Sequence, residues 1–560
     1  MKKAPNKMMP DTMAPELKFN LDFGWINHIM LRSDVSATLD SIRVNYRPHA
    51  SCHVQNNDYS GDYYGWLIFP NDSAMHKANI VQSFPNEYSR LIYTFKYWNI
   101  IRYFNPNNDI TDIPWDTTLY KNILYIANAK NAIDFYFGIR RFSSRIDDAH
   151  SEGLTSAYYI SPPTYYYAPK IILRYIENKY TVVSSNVNSI KKGDLITAVN
   201  NISVSAMEDS LRPYISAGNP AVFHRTMCSY ILNGYPNTNV KIDFTDSAGI
   251  AKNITTQRAT YIYDNYFFSY YPNDTLSTVS YKEINCNIGY VNMGNLINSE
   301  VNSMYNDLRF KDAIIFDIRN YPNGTIFNIA NLMFPEQIKC ALFKIPNVNY
   351  PGTFEWDASS FGFSNSNSFQ GKVLILVNQE TQSQAEYSAM ILKAMPGAFI
   401  VGSQTAGADG NISYFNISRD LTAGFSTLGV YFPDGTNTQR IGIVPDTICT
   451  PTRSGIQKNR DEVLNFALKL AGCNVSSLKE ITKDKSITLF PNPNNGRFIL
   501  QSSQPGIQYV QIIDVTGKVI YNTDFELHIE LDLSELSNGI YSAVVTSKNS
   551  IETRQFIIVK

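Results

Sequence analysis

The chain has 560 residues, 44% of them hydrophobic and 17% charged, which is too apolar for a disordered polymer and ample for several buried cores. Its 48 Lys and Arg stand against 49 Asp and Glu, a formal charge of −1 that excludes nucleic acid and anionic membrane as first choices of partner. Aromatic residues reach 13%, high for a cytosolic enzyme, and fit an exported chain.

No apolar run approaches the ~20 residues that span a bilayer. The basic start Met1-Lys2-Lys3 has the look of a signal peptide, yet Ala4 to Lys18 holds no apolar core, so none is evident. Residues up to Pro85 read as strands and loops, with Trp66-Leu67-Ile68-Phe69 as one apolar run. From Arg90 the period becomes helical, with Leu91, Phe95, Trp98 and Ile101 on one stripe and Asn105-Pro106 as the stop. A second helical stripe carries Ala132, Phe135, Ile139, Phe142 and Ile146, and ends in Asp147-Asp148-Ala149-His150-Ser151.

From about Lys170 to Ala259 the pattern is short strands. Lys192-Gly193-Asp194-Leu195-Ile196 followed by Val199-Asn200-Asn201 resembles the turn-strand-turn signature of PDZ domains, which bind extended peptide at a sheet edge. Next come continuous apolar runs at Ile288–Val291, Ala313–Asp317, Val373–Val377 and Phe399–Val401, the mark of parallel strands buried between helices such as the one expected over Gln384–Met395. The last stretch pairs turn chemistry at Pro491–Gly496 with strands on either side of Thr516-Gly517 and after Asn538-Gly539, as in a small β-sandwich. These submotifs resemble the type A C-terminal sorting domain of the Bacteroidetes type IX secretion system. That resemblance implies export, with residues 481–560 meeting the secretion machinery as a partner.

The six cysteines (Cys52, Cys228, Cys286, Cys340, Cys449, Cys473) follow no CxxC spacing, so a zinc ribbon or redox motif is unsupported, while pairing and buried thiols both stay open. Ser383, at a strand-to-helix turn, has two readings. It is either an ordinary N-cap or a nucleophile whose hydroxyl sits beside free helix N–H groups.

Four segments together resemble the tricorn and C-terminal-processing serine peptidase family. They are Asp317–Gly324 (a "DLRxNxGG" turn), Thr381–Tyr387 ("SxSxxE"), Gly402–Ala408 ("GExTxGx") and Ile443–Asp446 ("GVxPD"). Trp98–Phe104 is similar to the N-terminal helical region of one branch. The resemblance implies a multidomain α/β architecture. Its expected parts are an N-terminal β/loop region (1–87), a helical subdomain (88–168), a PDZ-like domain (169–259) and a crotonase-like ββα peptidase core (260–473). A linker (474–480) then leads to the C-terminal β-sandwich (481–560).

The departures select the machinery. Ala408 stands where processing peptidases carry their lysine, so a Ser–Lys dyad is ruled out. Asp148-Ala149-His150 fits the Asp-x-His loop of tricorn-like members, and a pKa near 6.5 suits imidazole to proton shuttling. By resemblance Ser383 is the nucleophile, His150 the base, and the Gln384 and Gly324 amides the oxyanion donors. Gln439 occupies the place of the family's orienting glutamate and can bond the imidazole without supplying charge. Asp148 and Asp409 are substitutes for that acid. Glu386 reads as a capping-box partner of Ser383, and Asn323 as a residue tolerant of positive φ. His28, His49, His53, His76, His224 and His528 fall outside the motifs.

The expectation is a secreted or cell-surface serine endopeptidase acting on polypeptides, with no metal or organic cofactor. The alternatives are an inactive peptide- or glycan-binding protein on the same fold, and an esterase using the same site.

Overall fold

The computed structural model describes residues 17, 20–45, 53–56, 67–70, 84–152, 155–156, 167–261, 276, 278–284, 286–418, 421–473, 487–502, 505–514, 518–547 and 551–560. Residues 1–3, the linker 474–480, Trp66, the turn at 516–517, Cys52, His49 and His76 lie outside the described residues. Two compact units divide the chain at residue 474. No helix among the described residues is long and apolar enough to cross a membrane.

The N-terminal region departs from a strand-and-loop reading. Among the described residues it holds an exposed helix α1 (Ser33–Asn45) and a two-residue strand pair, Gln55–Asn56 with Leu67–Ile68. Three helices follow rather than two: α2 (Glu87–Phe104), α3 (Trp115–Ala127) and α4 (Ala132–Ser143). Asn86 and Asn131 cap α2 and α4 by accepting the N–H three residues on. On α4 the expected stripe is the buried one, from Phe135 through Ile139 to Phe142. On α2 the stripe is displaced: Tyr97, Ile101 and Phe104 are buried, while Phe95 stays 43% exposed. The reason is tertiary, since Tyr97 packs edge-on against Phe142 and against Phe415 from a distant strand.

Residues 171–257 form a separate antiparallel sheet of β1 (Ile171–Ile176), β2 (Lys179–Ser185), β3 (Leu195–Val199), β4 (Asn239–Thr245) and β5 (Ala251–Gln257), ordered β5-β4-β3-β2-β1. Helices α5 (Val204–Leu211) and α6 (Pro220–Tyr230) lie between β3 and β4 in sequence. The turn after β3 takes two left-handed residues, Asn200 (φ 49°) and Asn201 (φ 65°), which asparagine tolerates better than most side chains.

The core sheet comprises β6 (Tyr281–Ile284), β7 (Ile288–Asn292), β8 (Ala313–Asp317), β11 (Lys372–Val377), β12 (Phe399–Gly402) and β16 (Thr447–Ile448), in the order β6-β7-β8-β11-β12-β16. All pairs except β6–β7 are parallel. Helices α7 (Val301–Leu308), α8 (Ile326–Met333), α9 (Gln384–Lys393) and α10 (Glu462–Leu470) belong to this layer. Phe316, Ile375, Ile329 and Ile391 sit in one buried cluster of sheet and helix residues. A second sheet joins β9 (Ile338–Pro346), β10 (Phe354–Phe361) and β15 (Gly429–Tyr431), and a hairpin of β13 (Ile412–Ser418) and β14 (Leu421–Ser426) packs on the N-terminal helices.

Cys286 and Cys473 form a disulfide that joins the start of the core to the residues after α10, across 187 positions. Cys228, Cys340 and Cys449 are free thiols.

In the second unit, seven strands run from β17 (Ile487–Phe490) through β18 (Arg497–Ser502), β19 (Ile507–Ile513), β20 (Val519–Glu526), β21 (His528–Asp532) and β22 (Gly539–Thr546) to β23 (Ile551–Ile558). They make one hydrogen-bonded path, β17-β18-β21-β20-β19-β22-β23, around a core that includes Phe498, Val510, Phe525 and Phe556. The path bends back on itself, because Nε of Arg554 on the last strand donates to the carbonyl of Ile487 on the first at 2.8 Å.

Candidate active site

The parallel register of β8, β11 and β12 sets Asp317 beside Leu376 and Val377 beside Gly402, so three turns leave the sheet side by side at its carboxyl edge. Open α/β sheets bind ligands at that edge. Side chains then stitch the turns together. Thr381 Oγ1 donates to the Ile318 carbonyl at 2.7 Å, and Ala406 N donates to Thr381 O at 3.0 Å. Arg319 is buried between Asp317 and Asp461, with four charge-assisted bonds of 2.6–2.9 Å, and these two carboxylates hold its guanidinium firmly protonated against the cost of burial. Asp317 and Arg319 therefore frame the 317–324 turn.

Ser383 stands at the N-cap of α9 with φ 57° and ψ −125°. The ordinary caps in this chain differ. Asn86, Asn131, Ser203 and Asn219 all have negative φ and extended ψ, and each accepts a helix N–H through its side chain. A positive φ at a non-glycine residue carries strain that surrounding structure must hold in place. Here Ser383 N donates to the Ala408 carbonyl at 3.0 Å and to Glu386 Oε2 at 3.2 Å.

Glu386 is the fastener of the site. It is fully buried, and its carboxylate also accepts from Thr405 Oγ1, from Gly407 N at 2.8 Å and from Ala408 N at 3.0 Å. Burial pushes its pKa up, with these four donors pulling the other way. The expected capping partner thus clamps two turns at once.

Gly324, at φ 70°, is the residue of its turn that needs a left-handed backbone; Asn323 does not. Asn323 instead holds the turn down, its Nδ2 donating to Gly294 O at 2.9 Å. Ser383, Gln384 and Gly324 line one cavity of about 890 Å³.

His150 lies in a 3-10 turn (Ala149–Glu152) after α4 and is buried. Its neighbour Ala149 packs with Ala406 and Ala408, the two residues that also bond the nucleophile turn through Thr381 O and Ser383 N. Burial lowers the His150 pKa, with Asp148 opposing and Arg225 adding to the depression. Asp148 Oδ1 accepts His150 N at 3.0 Å and lies 3.9 Å from Nδ1. The Nδ1 partner is Ser426 Oγ at 2.8 Å, and Asp148 Oδ2 takes the Ser426 N–H at 2.8 Å. Among the described hydrogen bonds none joins the imidazole to Ser383, and Gln439 contributes only its backbone N–H, to Asn437 Oδ1.

Three further residues carry no motif signal in the sequence. Ser426 sits near the end of a β-hairpin, where alternation alone is legible. Arg440 donates Nη2 to Asp112 Oδ1 at 2.6 Å and its backbone N to Gly407 O at 2.7 Å, tying the helical subdomain to the 405–408 turn. Tyr321 replaces the asparagine of the "DLRxNxGG" pattern; burial raises its pKa, while the Ser383 side chain and the Gln384 N–H bear on its hydroxyl and act to lower it.

Comparison with known proteins gives two family matches along the chain. Residues 287–449 match the model of Peptidase family S41, and residues 488–560 match that of the Secretion system C-terminal sorting domain. The chain therefore carries an S41 peptidase domain followed by a sorting domain. His150 and Asp148 lie outside both matched ranges. A Carboxyl-terminal-processing protease of Synechocystis sp. is 29% identical over 140 residues, 24% of this chain and 31% of the relative, so the match spans about a third of that protein's length. The structure of mature CPAF complexed with lactacystin aligns with TM-score 0.54 at 11% identity, covering 69% of this chain and 98% of the other. A second structure of mature CPAF gives the same TM-score and identity, with 96% of that chain covered. At that identity the two structures establish likeness of fold.

Proposed function

We propose that this chain is an exported serine endopeptidase of tricorn-like type, in which Ser383 attacks a peptide carbonyl and His150 takes its proton. The observation that carries this reading is the left-handed Ser383 at the head of α9, opening on a cavity with Gly324 and Gln384. An N-cap serine needs no such strain, whereas a nucleophile on a sharp strand-to-helix turn does.

In the proposed mechanism Nδ1–H of His150 donates to Ser426, leaving Nε2 as the accepting atom for the Ser383 proton. The alkoxide adds to the carbonyl carbon, and the Gln384 and Gly324 amides take the oxyanion, the Gln384 N–H exchanging the Tyr321 hydroxyl for it. The imidazolium returns its proton to the leaving amine, and water then hydrolyses the acyl-enzyme by the same steps. Asp148 supplies the negative charge near the ring, a role expected of Gln439's position in relatives. The 171–257 sheet with α5 and α6 is read as the PDZ-like domain that presents extended peptide. The C-terminal unit is read as the signal for type IX export to the surface or medium.

Ser383→Ala tests the proposal. Hydrolysis of casein should vanish while the thermal midpoint moves by no more than about 1 °C, a shift of about 1 kcal/mol for a unit of this size. Full activity in this variant would remove the assignment. A second reading, a binding protein without turnover, draws on Gln439 standing where relatives have glutamate. A fluorophosphonate probe separates the two, because only an activated serine is labelled.

A further inference from the structure

We infer that the cavity beside Ser383 receives a cationic side chain, so that cleavage follows lysine or arginine. This rests on the peptidase reading for its placement: the residue whose carbonyl meets Gly324 and Gln384 has its side chain against the cavity those residues line.

Three observations carry it. The cavity wall includes two carboxylates, Asp409 and Asp357, and no lysine, arginine or histidine. Asp409 is only 3% exposed; its Oδ1 accepts Gly410 N at 2.7 Å, and its Oδ2 has no hydrogen-bond partner among the described residues. Buried carboxyl oxygens are normally satisfied, and one left unpaired on a residue that lines a cavity marks a place for a donor once the wall gives way to it. Among the polar residues of the rest of the wall, such as Asn298, Ser359 and Asn411, stand Phe343, Phe361 and Tyr387, whose rings suit the aliphatic stem of lysine or arginine and attract a cation to their faces.

Burial, with the Glu386 charge adding to it, raises the Asp409 pKa well above the usual carboxylate range. The empty pocket therefore favours the protonated acid over the charged one. An ammonium or guanidinium entering it supplies the missing partner and draws the proton off Asp409, converting a desolvation cost into a charge-assisted bond. An apolar side chain of the same length leaves Oδ2 buried and unpaired. An acidic one is desolvated beside these carboxyl groups with no cation to pair with it.

The test uses the full chain bearing Ser383→Ala and peptides identical except for the residue before the scissile bond: lysine, arginine, norleucine, phenylalanine or glutamate. Titration calorimetry should give lysine and arginine peptides about 10–100-fold tighter binding than norleucine, the range of a hydrogen bond to a charged group. Asp409→Asn keeps the oxygen that accepts Gly410 N and should compress that ratio at least severalfold; Asp357→Asn, at the more exposed wall, should compress it less. Norleucine or phenylalanine binding as tightly as lysine overturns the inference. So does a ratio that Asp409→Asn leaves unchanged in a folded protein. Hydrolysis is scored separately on the unsubstituted chain. Failure to cleave any of the five peptides or casein counts against the peptidase reading, and the binding ratio still decides the pocket.

Discussion

Replacing Glu386 by glutamine removes charge while nearly preserving shape, and the structure sets the size of the effect. Each carboxylate oxygen accepts two bonds: Oε1 from Thr405 Oγ1 and Gly407 N, Oε2 from Ala408 N and Ser383 N. A glutamine amide places an NH₂ on one of the two sides. Turned toward Ala408 and Ser383, it orphans the Ala408 N–H and leaves Ser383 N with its bond to the Ala408 carbonyl alone. Turned toward Thr405, it orphans the Gly407 N–H and competes with the Thr405 hydroxyl, whose oxygen already accepts Ile443 N at 2.7 Å. Either arrangement leaves one buried backbone donor without a partner. With one buried donor left unsatisfied at roughly 1–3 kcal/mol, and some relief from no longer burying a charge, Glu386→Gln should cost about 1–3 kcal/mol. Glu386→Ala takes the carboxylate acceptor from the Gly407 and Ala408 N–H groups and the Thr405 hydroxyl together, and should cost more. Guanidinium unfolding of both variants, with the slope checked for constancy, measures this directly. Because the same carboxylate anchors the Ser383 N–H, kcat should fall more than KM rises. A Glu386→Gln protein within 0.5 kcal/mol of the parent, or one less stable than Glu386→Ala, would refute the clamp as described.

Other expectations follow from the same geometry. Ser426→Ala removes the Nδ1 partner of His150 and should lower kcat by about 10–100-fold with KM nearly unchanged, a smaller loss than the ~10²–10⁴ of deleting a general base. Ser426→Thr keeps the hydroxyl and should recover most of the activity. Since burial lowers the His150 pKa, the neutral, accepting imidazole persists below the usual value. The acid limb of kcat/KM should therefore fall below pH 6.5, and a limb at or above it would contradict the burial of the ring. Serine at Cys286 or Cys473 opens a 187-residue loop and should cost about 2–5 kcal/mol in chemical unfolding, with reduction of the parent protein giving a matching loss.

Much of this protein was legible before any coordinate. Runs such as Ala313–Asp317 and Val373–Val377 are apolar on both faces, and only a parallel strand between helix layers buries such a run, so the core sheet followed from local pattern. The same holds for the α4 stripe and for the strands on either side of residues 515–517. What local pattern could not reach was anything decided by a distant neighbour. The buried face of α2 turned on Phe142 and Phe415, and a helix at Ser33–Asn45 with no buried residue offered no periodic face to detect.

The candidate site divides the same way. Ser383, Gly324 and His150 announced themselves by residue type and spacing, because a strand-to-helix turn, a left-handed glycine and an Asp-x-His loop are each short-range arrangements. The choice between N-cap and strained turn at Ser383 needed its backbone angle. The Ser426 hydroxyl on His150, 276 positions away, and the open oxygen of Asp409 needed the packed chain, since hydrogen bonding and desolvation depend on what surrounds a group in space.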